Sequence, residues 1–147
     1  MASITTLVFN SIWRFIINTL QNFAAPTGRL FLAIMFFMSG LTKISQYAAT
    51  QGYMEAMGVP GFLLPLVILT ETVGGLAIIV GWQTKYVAFA LAGFSLLSAI
   101  LFHADFSNQA EMTNFMKNIA ISGGFLTLFV HGPGAFSLDN PANKKDL

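Results

Sequence analysis

Four stretches of the chain stay apolar with few charges: about Thr27–Tyr47, Gly61–Trp82, Lys85–Phe106 and Met112–His131. A bilayer core about 30 Å thick needs roughly 20 such residues per helix, so the pattern predicts four membrane spans. Their ends carry helix punctuation. Thr27, following Pro26, reads as an N-cap; Pro60-Gly61 opens the second span, and Gly132-Pro133-Gly134 stops the fourth. Tyr47, Trp82 and Tyr86 fall at span ends, where aromatic belts belong.

The segment before Pro26 has a different pattern. Ser11, Arg14, Asn18 and Gln21 recur at helical spacing, and Val8, Ile12, Phe15, Ile16 and Leu20 fill the other side. This predicts an amphipathic helix lying in the headgroup region. It lacks the basic start of a signal peptide, and Asn10 and Arg14 interrupt its apolar run, so it is expected to be retained. The expected division is an interfacial helix over 1–25, a four-span all-α membrane domain over 26–135 and a mobile polar tail over 136–147.

Composition supports the bilayer as solvent. Of 147 residues, 55% are hydrophobic and 9% charged, and the mean hydropathy is +0.70. Soluble domains carry about a quarter charged residues, and a short chain buries too little surface to hide this much apolar side chain. The net charge of +1 gives no argument for nucleic acid. With no cysteine, iron–sulfur, thiolate–zinc and thiol-relay chemistry are excluded within the chain. His103 and His131 fall at opposite span ends, which argues against paired haem ligands. The remaining carboxylates and histidines are too scattered for a metal site, and no flavin or phosphate-loop motif is present.

Basic residues set the expected orientation. Arg14, Arg29, Lys85, Lys144 and Lys145 mark the N-terminus, the second loop and the C-terminus as one side, while Glu55, Asp105 and Glu111 lie on the other. The positive-inside rule puts both termini in the cytoplasm. Small residues at Ala88, Ala92, Ser95 and Ala99, at Gly74, Ala77 and Gly81, and at Ser122-Gly123-Gly124 mark packing faces, since helices in lipid associate through close contact.

Arg29, Lys43, Glu71, His103 and Lys117 are ionisable within or at the rims of the spans, with Asn118 beside the last. A charge at mid-span costs about 2.5–3.5 kcal/mol on insertion scales, so such residues face an interior and mark function. Glu71 lies ten residues past Gly61, about 15 Å deep at helical rise. It is too short to reach water and demands a partner. Depth places it as the floor of an outward-facing polar pocket ringed by Lys43, His103, Lys117 and Asn118. Snorkelling to the headgroups is the competing reading for Arg29, Lys43 and Lys117, and an interfacial role for His103. For Glu71 the competing reading is a structural ion pair.

Arg29-Leu-Phe-Leu-Ala-Ile-Met-Phe-Phe-Met-Ser-Gly-Leu-Thr-Lys43, Tyr53-Met-Glu-Ala-Met-Gly-Val-Pro60, Glu71 with Gly74-Gly75-Leu76, Gly81-Trp-Gln-Thr84, Phe115-Met-Lys-Asn-Ile119 and Gly132-Pro-Gly-Ala-Phe-Ser-Leu138 together resemble the DoxX family of small bacterial inner-membrane proteins. The likeness covers about residues 28–139; the N-terminal segment is longer than the family pattern. The resemblance implies four spans and makes the six polar residues above the family's polar positions. Some members resemble the membrane subunit of a thiosulfate:quinone oxidoreductase, others are associated with oxidative-stress assemblies, and some carry the provisional label of quinol oxidase subunit.

Three functions follow as expectations. The first is a quinone-interacting membrane subunit, with Glu71 and His103 as catalytic groups and Arg29, Lys43, Lys117 and Asn118 as ligand-binding groups. It would work with an oxidoreductase partner, since the chain has no redox cofactor motif. The second is a non-catalytic protein that captures a membrane lipid or organises a complex, and the third a small-solute or proton pathway, for which four spans give little room without homo-oligomerisation.

Overall fold

The computed structural model describes residues 4–140, with side chains from residue 9 onward. Among them the chain is all-helical, with no strand: α1 (Ile4–Ser45), α2 (Tyr47–Ala56), one 3-10 turn (Gly61–Leu63), α3 (Leu64–Val80), α4 (Thr84–Phe102) and α5 (Gln109–His131). Three helical stretches, Phe9–Ser45, Gly61–Val80 and Thr84–Phe102, are long and apolar enough to cross a membrane. The 23 residues of α5 suffice in length, but Gln109, Glu111, Asn114, Lys117 and Asn118 make its first half too polar to join them.

The break expected at Pro26 is absent. Proline removes one backbone donor inside a helix, yet α1 runs through it as one helix of 42 residues, about 63 Å at helical rise. Thr27 is not an N-cap: its hydroxyl donates back to the Phe23 carbonyl at 2.9 Å. The second half of α1 packs on α3, and α4 packs on α5, whereas α3 and α4 touch far less. In the first half, Phe9, Trp13, Phe15, Leu20 and Phe23 are exposed. Beyond the expected end of the first span at Tyr47, the chain forms α2 (Tyr47–Ala56) where a loop is expected, and its Met54 is buried.

Close backbone approach joins α1 to α3. A Cβ on Gly75 would lie 2.8 Å from the Phe37 amide nitrogen, and one on Gly40 3.0 Å from that of Thr72. The anticipated small stripe of α4 is buried throughout, at Ala88, Ala92, Ser95 and Ala99. With Ala33, Phe36, Ile78, Leu91 and Phe125, Ala88 and Ala92 form the core, where Phe36 meets Phe125 edge-on at 5.3 Å between ring centres.

Of the expected polar tail, residues 136–140 are described and fold against the α3–α4 connection; residues 141–147 lie outside the described residues. The Leu138 amide donates to Val80 O (3.2 Å) and that of Asp139 to Gly81 O (2.9 Å). In return the Asp139 carboxylate accepts from the amides of Gln83 (2.9 Å) and Thr84 (2.7 Å). The side chain of Gln83, the N-cap residue of α4, makes no capping bond, so the donors at the helix start are capped by a residue far along the chain.

Candidate functional site

A cavity of about 450 Å³ lies where the C-terminal ends of α1 and α4 meet the N-terminal ends of α3 and α5, with α2 alongside. Its polar lining includes Lys43, Glu71, His103 and Asn118, and its apolar walls include Phe36, Met54 and Phe94. The volume is within the usual range for a small-molecule site.

Glu71 is 6% exposed. Lys43 Nζ donates to Glu71 Oε1 at 3.0 Å and to Ser39 Oγ, one turn earlier on α1, at 2.6 Å. Glu71 Oε2 is nearer the ammonium, at 2.8 Å, but is buried with no hydrogen-bond donor aligned to it. The ion pair neutralises the carboxylate, with the ammonium within 3.0 Å of both oxygens. The approach of α1 to α3 at Gly40, whose Cβ would lie 3.2 Å from the Glu71 Cβ, brings Lys43 within reach.

His103 follows α4, and its partner is Glu111 rather than Glu71: Nδ1 lies 2.6 Å from Glu111 Oε2. A carboxylate only accepts, so Nδ1 carries the hydrogen and Nε2 remains as the second ring nitrogen. Glu111 occupies the first turn of α5, where the helix dipole favours an anion. Asn108 caps that turn, its Oδ1 accepting from the Ala110 amide at 2.9 Å. Tyr53 of α2 also lines the cavity and stacks on Phe102 at 5.7 Å. Burial first, then the nearby Glu111 carboxylate, push the Tyr53 phenol above its ordinary value.

Four of the six expected site residues thus share one cavity; two do not. Lys117 is exposed and outside the lining: on a helix, residue 117 points about 100° away from Asn118. Arg29 is 2% exposed in the middle of α1, about four turns before Lys43, where its Nη2 donates to the Phe136 carbonyl. It neither snorkels nor reaches Glu71, and it anchors the chain after α5. Sequence reasoning missed Glu111, Tyr53, Ser39 and Thr50. Glu111 carries a signal in the sequence, three residues beyond a capping asparagine. Among the described residues no three His, Asp or Glu side chains gather as a metal site.

The DoxX family model matches residues 24–104. The inner membrane protein YqjF of Escherichia coli (strain K12) is 52% identical, with 86% of this chain and 97% of that one aligned. The inner membrane protein YphA of the same organism is 32% identical over 83% of this chain and 98% of that one. More distant is CatD of Bacillus subtilis (strain 168), whose name proposes an oxidoreductase, at 28% identity over 68% of this chain and 80% of that one. No solved structure matches with significance.

Proposed function

Since the chain belongs to the DoxX family, and is an inner-membrane protein by that kinship, we propose that it is a quinone-interacting membrane subunit of an oxidoreductase. The observation that carries this reading is the buried Glu71–Lys43 ion pair in the wall of a cavity of small-molecule size. A quinol hydroxyl would donate to the carboxylate there. The quinone form presents carbonyls instead, for which Lys43 and the Asn118 amide are donors. Reduction of a quinone takes up two protons and two electrons. The electrons would come from a redox partner subunit, because the chain carries no redox cofactor motif; Glu71 and His103 would exchange the protons. The kinship to CatD favours the same class.

The membrane arrangement belongs to the same proposal. α5 is the fourth span, the first half of α1 lies at the cytoplasmic headgroups, and both termini are cytoplasmic. The cavity then opens toward the periplasm, with α2 at that surface. A periplasm-dependent reporter is expected to be active after Thr50 or Ser107 and silent after Gln83 or Leu147. Glu71→Gln keeps the shape and removes the ionisable group. It is expected to insert and fold normally but to lose both quinone retention and complementation of a deletion strain. A Gln variant that retains quinone and complements fully would refute the proposal.

The first half of α1 favours a second reading, because Phe9, Trp13, Phe15 and Leu20 are all exposed along it. Assembly with another membrane protein, without turnover, would use such a surface. A protein that co-purifies with a partner through residues 9–23 but never with quinone would favour it.

A further inference from the structure

Beyond the polar cavity, α3 and α4 leave a second depression of about 260 Å³ along their seam. Its lining is almost wholly apolar, with Val73, Gly74 and Ala77 on α3 and Val87 and Ala90 on α4. Thr70 lines both spaces, so the depression begins where the cavity ends. The cavity is also open on this side. Leu66 of α3 and Leu97 of α4 line it, and both are exposed on the outer surface.

The seam stays open for a physical reason. The short connection 81–83 holds α3 and α4 side by side, yet each is packed mainly on another helix, α3 on α1 and α4 on α5. Small residues at Gly74, Ala77 and Ala90 leave the space between them shallow but unfilled. Leu91 borders it closely, and a Cβ on Gly74 would lie 3.3 Å from that side chain. Along α3 the groove runs from Leu69 to Ala77, about 12 Å at helical rise. It finishes at Trp82, the kind of residue that marks a membrane interface.

We infer that this groove holds the hydrocarbon tail of the molecule whose head occupies the cavity, and that the molecule enters sideways from the bilayer between α3 and α4. The inference rests on the quinone reading, and it narrows the ligand to a membrane-resident quinone with a long isoprenoid tail. The division of polarity along the seam supports the assignment. Lys43, Glu71, His103 and Asn118 stand at the head end, and the groove beyond Thr70 offers a tail only packing contacts. In lipid such contacts give position more than affinity, because a tail is as well solvated by its neighbours as by the protein. The test should therefore read location.

The probe is a ubiquinone analogue with a diazirine at the end of a decyl tail, photolysed on the whole protein in nanodiscs and mapped by peptide mass spectrometry. Labelling is expected on α3 and α4 at Val73–Ala77 and Val87–Leu91, the part of the groove away from the cavity. Excess long-tailed ubiquinone should displace it, and added phosphatidylglycerol should not. Ala90→Phe fills the groove from an exposed position, so the variant should fold, and seam labelling should fall at least fivefold while protection of the cavity by a tail-less benzoquinone is unchanged. Saturable labelling scattered over the outer faces, or loss only to phosphatidylglycerol, overturns the groove and spares the head-group site in the first case. Absence of both saturable labelling and benzoquinone protection overturns the head-group site and the groove together.

Discussion

Replacing Lys43 by Met removes the cation that lies 2.8 Å from Glu71 Oε2 and 3.0 Å from Oε1. The glutamate side chain is 8% exposed, so the carboxylate is left with almost no water in place of its partner. Breaking a buried pair in this way costs about 3–5 kcal/mol in proteins generally. Glu71→Gln is the milder change, because the Lys43 side chain is 23% exposed and keeps its bond to Ser39 Oγ. About 1 kcal/mol is expected there, the ordinary net value of one hydrogen bond. The double variant replaces both charges, so most of the Lys43→Met penalty should disappear. Thermal unfolding in mild detergent reads the cycle: at about 2–4 °C per kcal/mol for a chain of this size, Lys43→Met should lower the midpoint on the order of 10 °C. The coupling should be about 1–3 kcal/mol. Additive effects, or a Gln variant costlier than the Met variant, would refute the pairing and the asymmetry drawn from it.

Gly75→Ala must push α1 from α3, since the new Cβ would meet Phe37 backbone at 2.8 Å, and it should lose about 1–3 kcal/mol by thermal melt. Gly93→Ala meets nothing within 4 Å and should gain up to about 1 kcal/mol, so equal effects at the two sites would contradict the packing described. Asp139→Ala removes the cap of α4 and should cost about 0.5–2 kcal/mol, with faster amide exchange at Gln83 and Thr84 as its local signature. The Ser107 hydroxyl (2.5 Å), and after it the Ser107 amide (3.1 Å), hold the Asp105 carboxylate below its ordinary range. Stabilisation from this turn is therefore complete above the unfolded carboxylate value and is lost as pH falls through the lower folded one. Ser107→Ala should raise the Asp105 titration midpoint seen by NMR, and an unchanged midpoint would contradict the assignment.

Glu71, Lys43, His103 and Asn118 were legible as a group because depth along a span is a one-dimensional coordinate, which sequence spacing supplies directly. Their pairing was not. Whether His103 meets Glu71 or Glu111 depends on helix rotation, and α4 packing on α5 rather than on α3 decides it. Arg29 failed for a related reason: its position near a span end suited a headgroup anchor, but residues 136–140 fold back over it and bury it. Local rules make Pro26 a boundary, yet the helix continues through it. α2 carried no span-length apolar run, so it read as loop, although Tyr47–Ala56 has a helix-compatible composition and no proline.

The most direct test of the head-group site is the small-molecule content of the purified protein. The chain is extracted from membranes in mild detergent, washed, and analysed for quinones and phospholipids by mass spectrometry, beside Glu71→Gln prepared identically and shown to be folded. An isoprenoid quinone near one per chain in the native protein, and at least tenfold less in the variant, is the result expected. Phospholipid alone in both preparations, or quinone at equal levels in both, would contradict the claim that Glu71 holds a quinone head.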